Sequence, residues 1–60
     1  MKISDLKDSD VGRLVVYTAH HGETEEGTIS SWNDKFVFVR YTSGPNGTAT
    51  DPDQLEFSLP

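Results

Sequence analysis

Gly27-Thr28-Ile29-Ser30-Ser31-Trp32-Asn33-Asp34-Lys35-Phe36-Val37-Phe38-Val39-Arg40-Tyr41 reads as a single β-hairpin, two strand-like arms closed by Asn33-Asp34. In the second arm, residues 35–41, β-branched and aromatic side chains alternate with period two. Val37, Val39 and Tyr41 fall on one face and Phe36, Phe38 and Arg40 on the other. A guanidinium belongs in water, so the arginine decides which face is wet: the valines point inward and the two phenylalanines outward. Trp32 and Phe36 flank the turn and are expected to meet across it.

The remaining segments arrange themselves around this hairpin. Residues 13–18, Arg-Leu-Val-Val-Tyr-Thr, form a first strand, since they are rich in β-branched and aromatic residues and lack a helical stripe. His20-His21-Gly22 makes the turn into a second strand over residues 23–32, where Gly27 is expected to mark a bulge or sharp bend. Ser43-Gly44-Pro45-Asn46-Gly47 is a loop and residues 48–50 a short fourth strand. Asp51 before Pro52 is a capped proline start with room for one turn, which predicts a 3₁₀ helix, and residues 55–58 return as a last strand beside the first. Ahead of all this, Ser4 and the pair Asp8, Ser9 each open a helical turn. Ile3, Leu6 and Val11 of that lead-in are expected to cover one end of the core, and Gly12 to swing the chain into the first strand.

Sixty residues form one domain, with residues 1–12 as an irregular lead-in and 13–58 as the strands. Cysteine is absent, which excludes disulfides and thiolate metal sites. The apolar core works alone or borrows from a second protomer, so a homo-oligomer is one expectation. The first residues carry no apolar run of a signal peptide and no window approaches a membrane span, from which a soluble, cytoplasmic protein without membrane contact is expected. Ten acidic residues against five basic ones give a formal charge of −5, so a nucleic-acid duplex is repelled and direct nucleic-acid binding is not expected.

Five short strands, a long second-to-third hairpin and a helical turn just before the last strand resemble the SH3-like small barrel in its Tudor or KOW variety. The resemblance covers about residues 11–58 and implies an all-β, five-stranded SH3-like barrel with a one-turn 3₁₀ helix before the last strand. Val11-Gly12-Arg13, Glu26-Gly27-Thr28-Ile29-Ser30-Ser31-Trp32-Asn33-Asp34-Lys35 and Phe38-Val39-Arg40-Tyr41 also resemble small proteins encoded by phages and prophages, which implies an accessory role. Tudor domains read methylated side chains with an aromatic cage, whose nearest counterparts here are Tyr17, Trp32 and Tyr41; His20 and His21 stand where such a cage wants another ring. KOW domains bind through basic loops, whereas the loops here are acidic.

His20 and His21 beside Glu23, Glu25 and Glu26 have the donor types of a zinc, nickel or manganese site, but adjacent histidines diverge on extended backbone and a solvated turn is the simpler reading. Acid–base catalysis needs a desolvated carboxyl, and neither Ser30 nor Ser31 has a local base, so no enzyme activity and no cofactor are expected. Asn46-Gly47-Thr48 matches a glycosylation pattern and reads as a plain turn.

The aromatic residues carry the functional expectation: a non-catalytic binding module that meets a host protein through Trp32, Phe36, Phe38 and Arg40, with Tyr17 and Tyr41 as further contacts. The competing structural account is that Ile3 and Leu6, or a second copy of the chain, cover those rings. Two other functions are compatible with the residues. One is an oligomeric nucleotide binder that stacks a base on Trp32 or Tyr41 and holds phosphates with Arg13, Lys35 or Arg40. The other is a nucleic-acid mimic built from Glu23, Glu25, Glu26, Asp51, Asp53 and Glu56.

Overall fold

The computed structural model describes residues 1–42, 44 and 47–58. Five antiparallel strands make one sheet: β1 (Leu14–Thr18), β2 (Thr24–Trp32), β3 (Val37–Tyr41), β4 (Gly47–Thr50) and β5 (Leu55–Phe57). Their order across the sheet is β4-β3-β2-β1-β5, so β5 returns beside β1 while β4 and β5 remain as the two edges of an open ladder. All helical segments among the described residues are single 3₁₀ turns, Ile3–Asp5, Asp8–Asp10 and Pro52–Gln54, and none is long and apolar enough to cross a membrane.

The alternation in β3 sets the core. Val37 and Val39 are fully buried, and with Val15, Ile29, Tyr41 and Leu55 they form the apolar cluster of the inner face. Met1, Ile3, Leu6, Tyr17, Trp32 and Phe57 pack around it. Residues directly opposite in an antiparallel pair share a face, so the pairings Ile29 with Val39 and Tyr41 with Gly27 stack the inner row across two strands. Phe38 and Arg40 take the outer face, as the sequence predicts.

Gly27 acts by close approach. It sits in regular register between Val15 and Tyr41, and a Cβ there would lie 2.6 Å from Val39 Cγ1, 2.8 Å from the Arg40 carbonyl and 2.9 Å from Tyr41 Cδ1. The bulge expected at Gly27 lies instead between Ile29 and Ser31. It has a decisive consequence for the indole. Glu25, Gly27 and Ile29 share the inner face by strict alternation, which would send Trp32 outward, but the extra residue reverses the parity and seats Trp32 opposite inward-facing Val37.

The hairpin turn is longer than Asn33-Asp34. The Asn33 side-chain oxygen accepts the backbone N–H groups of Lys35 and Phe36, both at 2.8 Å, and the Asn33 N–H donates to the Phe36 carbonyl at 3.0 Å. These bonds hold residues 33–36 as a loop, so β3 begins at Val37 and not at Lys35. Ser43, Pro45 and Asn46 of the expected β3–β4 loop lie outside the described residues, as does part of the Asn46-Gly47-Thr48 pattern; β4 begins at Gly47, one residue before the expected start.

The lead-in makes two single turns, but Lys2 and Lys7 stand at their N-caps, so Ser4, Asp8 and Ser9 lie within the turns and do not open them. Its Met1 amino group donates to the carbonyls of Pro52 (2.7 Å) and Leu55 (3.1 Å), and Ile3 and Leu6 pack on the core. Val11 does not join them and is 52 % exposed. Asp10 fixes the entry to β1: its carboxylate accepts the Lys7 N–H at 2.9 Å and pairs with Arg13 at 3.0 Å, which together hold its pKa below the ordinary value. Gly12 follows with φ of +89°, a backbone conformation that makes the swing into β1. At the other end Asp51 caps the third turn by accepting the Asp53 N–H, with Pro52 at the first helical position as the sequence predicts.

Gly27→Ala places a methyl group against atoms of β3 that have nowhere to go. The variant is expected to lose about 1–3 kcal/mol of stability, read as a lower midpoint in urea unfolding with an unchanged slope.

Candidate interaction surface

The outer face of the sheet is read row by row from the register. Leu14, Thr28, Arg40 and Gly47 lie side by side across β1 to β4, and Ser31, Phe38 and Ala49 form the row toward the hairpin loop. Glu56, Val16 and Glu26 make a third row, with the carboxylates on either side of the valine. A shallow hollow of about 620 Å³ opens among Leu14, Glu25, Glu26, Thr28, Arg40 and Tyr41. Leu14 is 44 % and Phe36 43 % exposed, which with Val11 makes three large apolar side chains left in water among the described residues. Arg40 is exposed and makes no ion pair among the described residues.

The structure separates the rings that the sequence groups together. Phe38 is half-buried on the outer face and Phe36 stands in the hairpin loop. Trp32 belongs to the inner side, half-buried against the core. The lead-in, through Ile3 and Leu6, packs on that inner cluster. Val11 and Leu14 belong to the exposed set and were missed by sequence reasoning. Val11 lacks any periodic neighbour that assigns its face, whereas the alternation of β1 around buried Val15 does place Leu14 outside.

Tyr17 and Tyr41 meet edge to face, with ring centroids 6.1 Å apart. Tyr41 is buried, and its hydroxyl shares a 2.8 Å hydrogen bond with Thr50 Oγ1, which also lies 3.1 Å from the Thr48 carbonyl. Burial first, and then the negative field of Glu25, raises the pKa of this phenol above its ordinary value of 10.0, against the opposing effect of the Thr50 hydrogen bond. Trp32 lies five residues further along β2 than Gly27, the cross-strand neighbour of Tyr41, a separation on the order of 15 Å. The three residues named as counterparts of a cage therefore do not converge on one point.

The polar clusters are solvated. His21 Nε2 stands 3.4 Å from Glu23 Oε1 with both side chains exposed, and the described residues hold no group of three histidine, aspartate or glutamate side chains placed to bind a metal. Glu23, Glu26, Asp51, Asp53 and Glu56 are all exposed. Arg13 lies with its guanidinium 3.9 Å from the Phe57 ring centroid and also pairs with Asp10, so it is committed within the fold.

Compared with protein-family models, with characterised proteins and with solved structures, the chain matches none.

Because the Tyr41 phenol keeps its proton longer in the folded chain than in the unfolded one, stability is undiminished below pH 10 and falls as pH rises through that range, where the unfolded phenol ionises first. Tyr41→Phe is expected to flatten the alkaline part of a thermal-unfolding series from about pH 8 to 11. At neutral pH it costs about 1 kcal/mol for the hydrogen bond to Thr50.

Proposed function

We propose that the chain is a small, non-catalytic binding module of the SH3-like barrel type, which meets a protein partner through the outer face of β1 to β3. The observation that carries this reading is the orientation of β3: Val37 and Val39 are fully buried, so Phe38 and Arg40 are committed to the opposite face, with Phe36 exposed in the hairpin loop that precedes the strand. Leu14 and Val11 extend the apolar area, and Arg40, without an ion pair among the described residues, supplies a charged anchor at its centre. Aromatic and arginine side chains are the residue types that dominate binding energy at protein interfaces.

The barrel assignment is supported by the strand order, in which β5 returns beside β1, and by the 3₁₀ turn that directly precedes β5. The resemblance of the 26–41 region to small phage and prophage proteins makes a host protein in the cytoplasm the expected partner. Tyr17, Trp32 and Tyr41, packed on the inner side, serve the fold in this reading and leave the contact to Phe36, Phe38 and Arg40.

Capture from host lysate with wild type, Phe38→Ser and Arg40→Glu tests the proposal. Loss of either anchor is expected to weaken retention of the captured protein about 30-fold while circular dichroism stays the same, the scale of an interface hot spot. Arg40→Glu touches no core residue, so retention undiminished by that change contradicts the reading.

A further inference from the structure

The two edges of the sheet are treated differently. At β5, the Met1 amino group donates to the Leu55 carbonyl, and Ile3 and Leu6 of the same arm pack beside it on the core. Among the described residues nothing comparable covers β4: no strand pairs with its outer side, and Gly47, Thr48 and Ala49 are exposed. The segment Gly47-Thr48-Ala49-Thr50 also lacks the lysine, proline or inward charge with which proteins blunt an open edge.

Beside that edge lies a second hollow, of about 370 Å³, between β4 and the 3₁₀ turn. Tyr17 and Tyr41 form its aromatic side, Glu25 and Asp51 its carboxylates, and Gln54 closes it; no lysine, arginine or histidine among the described residues lines it. Its shape is held from within the fold. The Gln54 amide donates to the Thr18 carbonyl at 3.3 Å, Asp51 caps the turn, and the Tyr41 hydroxyl is tied to Thr50 at the end of β4.

We infer that the outer side of β4 receives an extended segment of a partner protein as a sixth strand, with a lysine or arginine side chain of that segment seated in the hollow between β4 and the 3₁₀ turn. Main-chain hydrogen bonds to the open edge supply affinity that any sequence can use. The adjacent pocket supplies the choice of side chain, as in other cases of strand addition. Charge selects a basic residue: the pocket holds two carboxylates with aromatic rings beside them, and the whole chain carries −5. The same charge opposes a second copy of this chain as the occupant. This hollow shares Glu25 and Tyr41 with the one beside Leu14 and Arg40, but Leu14, Phe38 and Arg40 of the outer face do not line it, so substitutions at those residues test the two surfaces apart.

The test uses the full chain, ¹⁵N-labelled, titrated with the peptide acetyl-Thr-Val-Arg-Val-Thr-amide, its Arg→Glu counterpart and a version N-methylated at alternate backbone nitrogens. The expected result is chemical-shift change and slowed amide exchange at residues 47–50 with the arginine peptide, much weaker change with the glutamate peptide, and loss of both effects on N-methylation. Glu25→Gln and Asp51→Asn are each expected to weaken the arginine peptide about fivefold. The second of these keeps a side-chain oxygen to cap the turn, and Phe38→Ser with Arg40→Glu is expected to leave peptide binding unchanged. The inference is overturned if millimolar arginine peptide leaves residues 47–50 unmoved, if the N-methylated peptide binds equally well, or if the shifts gather instead at Leu14, Phe38 and Arg40. Concentration-dependent protection of β4 in the protein alone would also overturn it, because the occupant would then be a second copy.

Discussion

The contact between the β2 backbone at Gly27 and the Val39 and Tyr41 side chains is the constraint from which the other features follow. With no side chain at residue 27, β2 lies directly against the inner row of β3, and the valines are sealed between Ile29 and Val15. Once that row is inside, the pleat leaves no choice for the alternate residues. Phe38 and Arg40 must face water or a partner, and the outer surface is defined by what the core has excluded. Tyr41 extends the same inner row to the far end of the strand, where its hydroxyl ties Thr50 and so fixes the end of β4 beside the 3₁₀ turn.

Much of this architecture is legible in the chain because it rests on local rules. Alternation over residues 37–41 with a charged residue on one face gives the orientation of β3, and Asp51-Pro52 gives the position and length of the last helical turn. The bulge after Ile29 is not legible in the same way. Ser30-Ser31 carries no glycine and no signature, and the extra residue shows only in the register, where Trp32 falls opposite Val37 and packs on the core. One unpaired residue is enough to move the indole from the outer set to the inner one, and so the aromatic cluster expected around the hairpin divides into two. The longer turn has a similar origin. Asn33 is a recognisable turn residue, but its simultaneous capture of two backbone N–H groups, which goes with the start of β3 at Val37, has no signature in the residue types.

For a chain this small, each surface is also the back of a structural element, and the two candidate docking regions differ in how far the fold already occupies their side chains. On the outer face it occupies few of them, leaving Arg40 and Leu14 exposed beside an open hollow and Phe38 half-exposed on the same face. At the β4 edge it fixes their positions. The tyrosine pair, the Thr50 hydroxyl and the Gln54 amide hold the walls of the smaller hollow while the strand beside it stays open. The first surface is suited to burial of apolar area, the second to recognition of an extended backbone with a cation. The acidic side chains bear on both by discouraging association of like-charged copies and by favouring basic approach.

The orientation of β3 is tested most directly by thiol labelling, since the chain has no cysteine of its own and each substitution introduces a single reactive group. Single variants V37C, V39C, F36C and F38C are treated with a small thiol reagent under native conditions. The account predicts rapid labelling at positions 36 and 38 and labelling at 37 and 39 only at the rate of global unfolding. Fast reaction at 37 and 39, with protection at 36 and 38, would contradict it and would remove the basis for the outer interaction face.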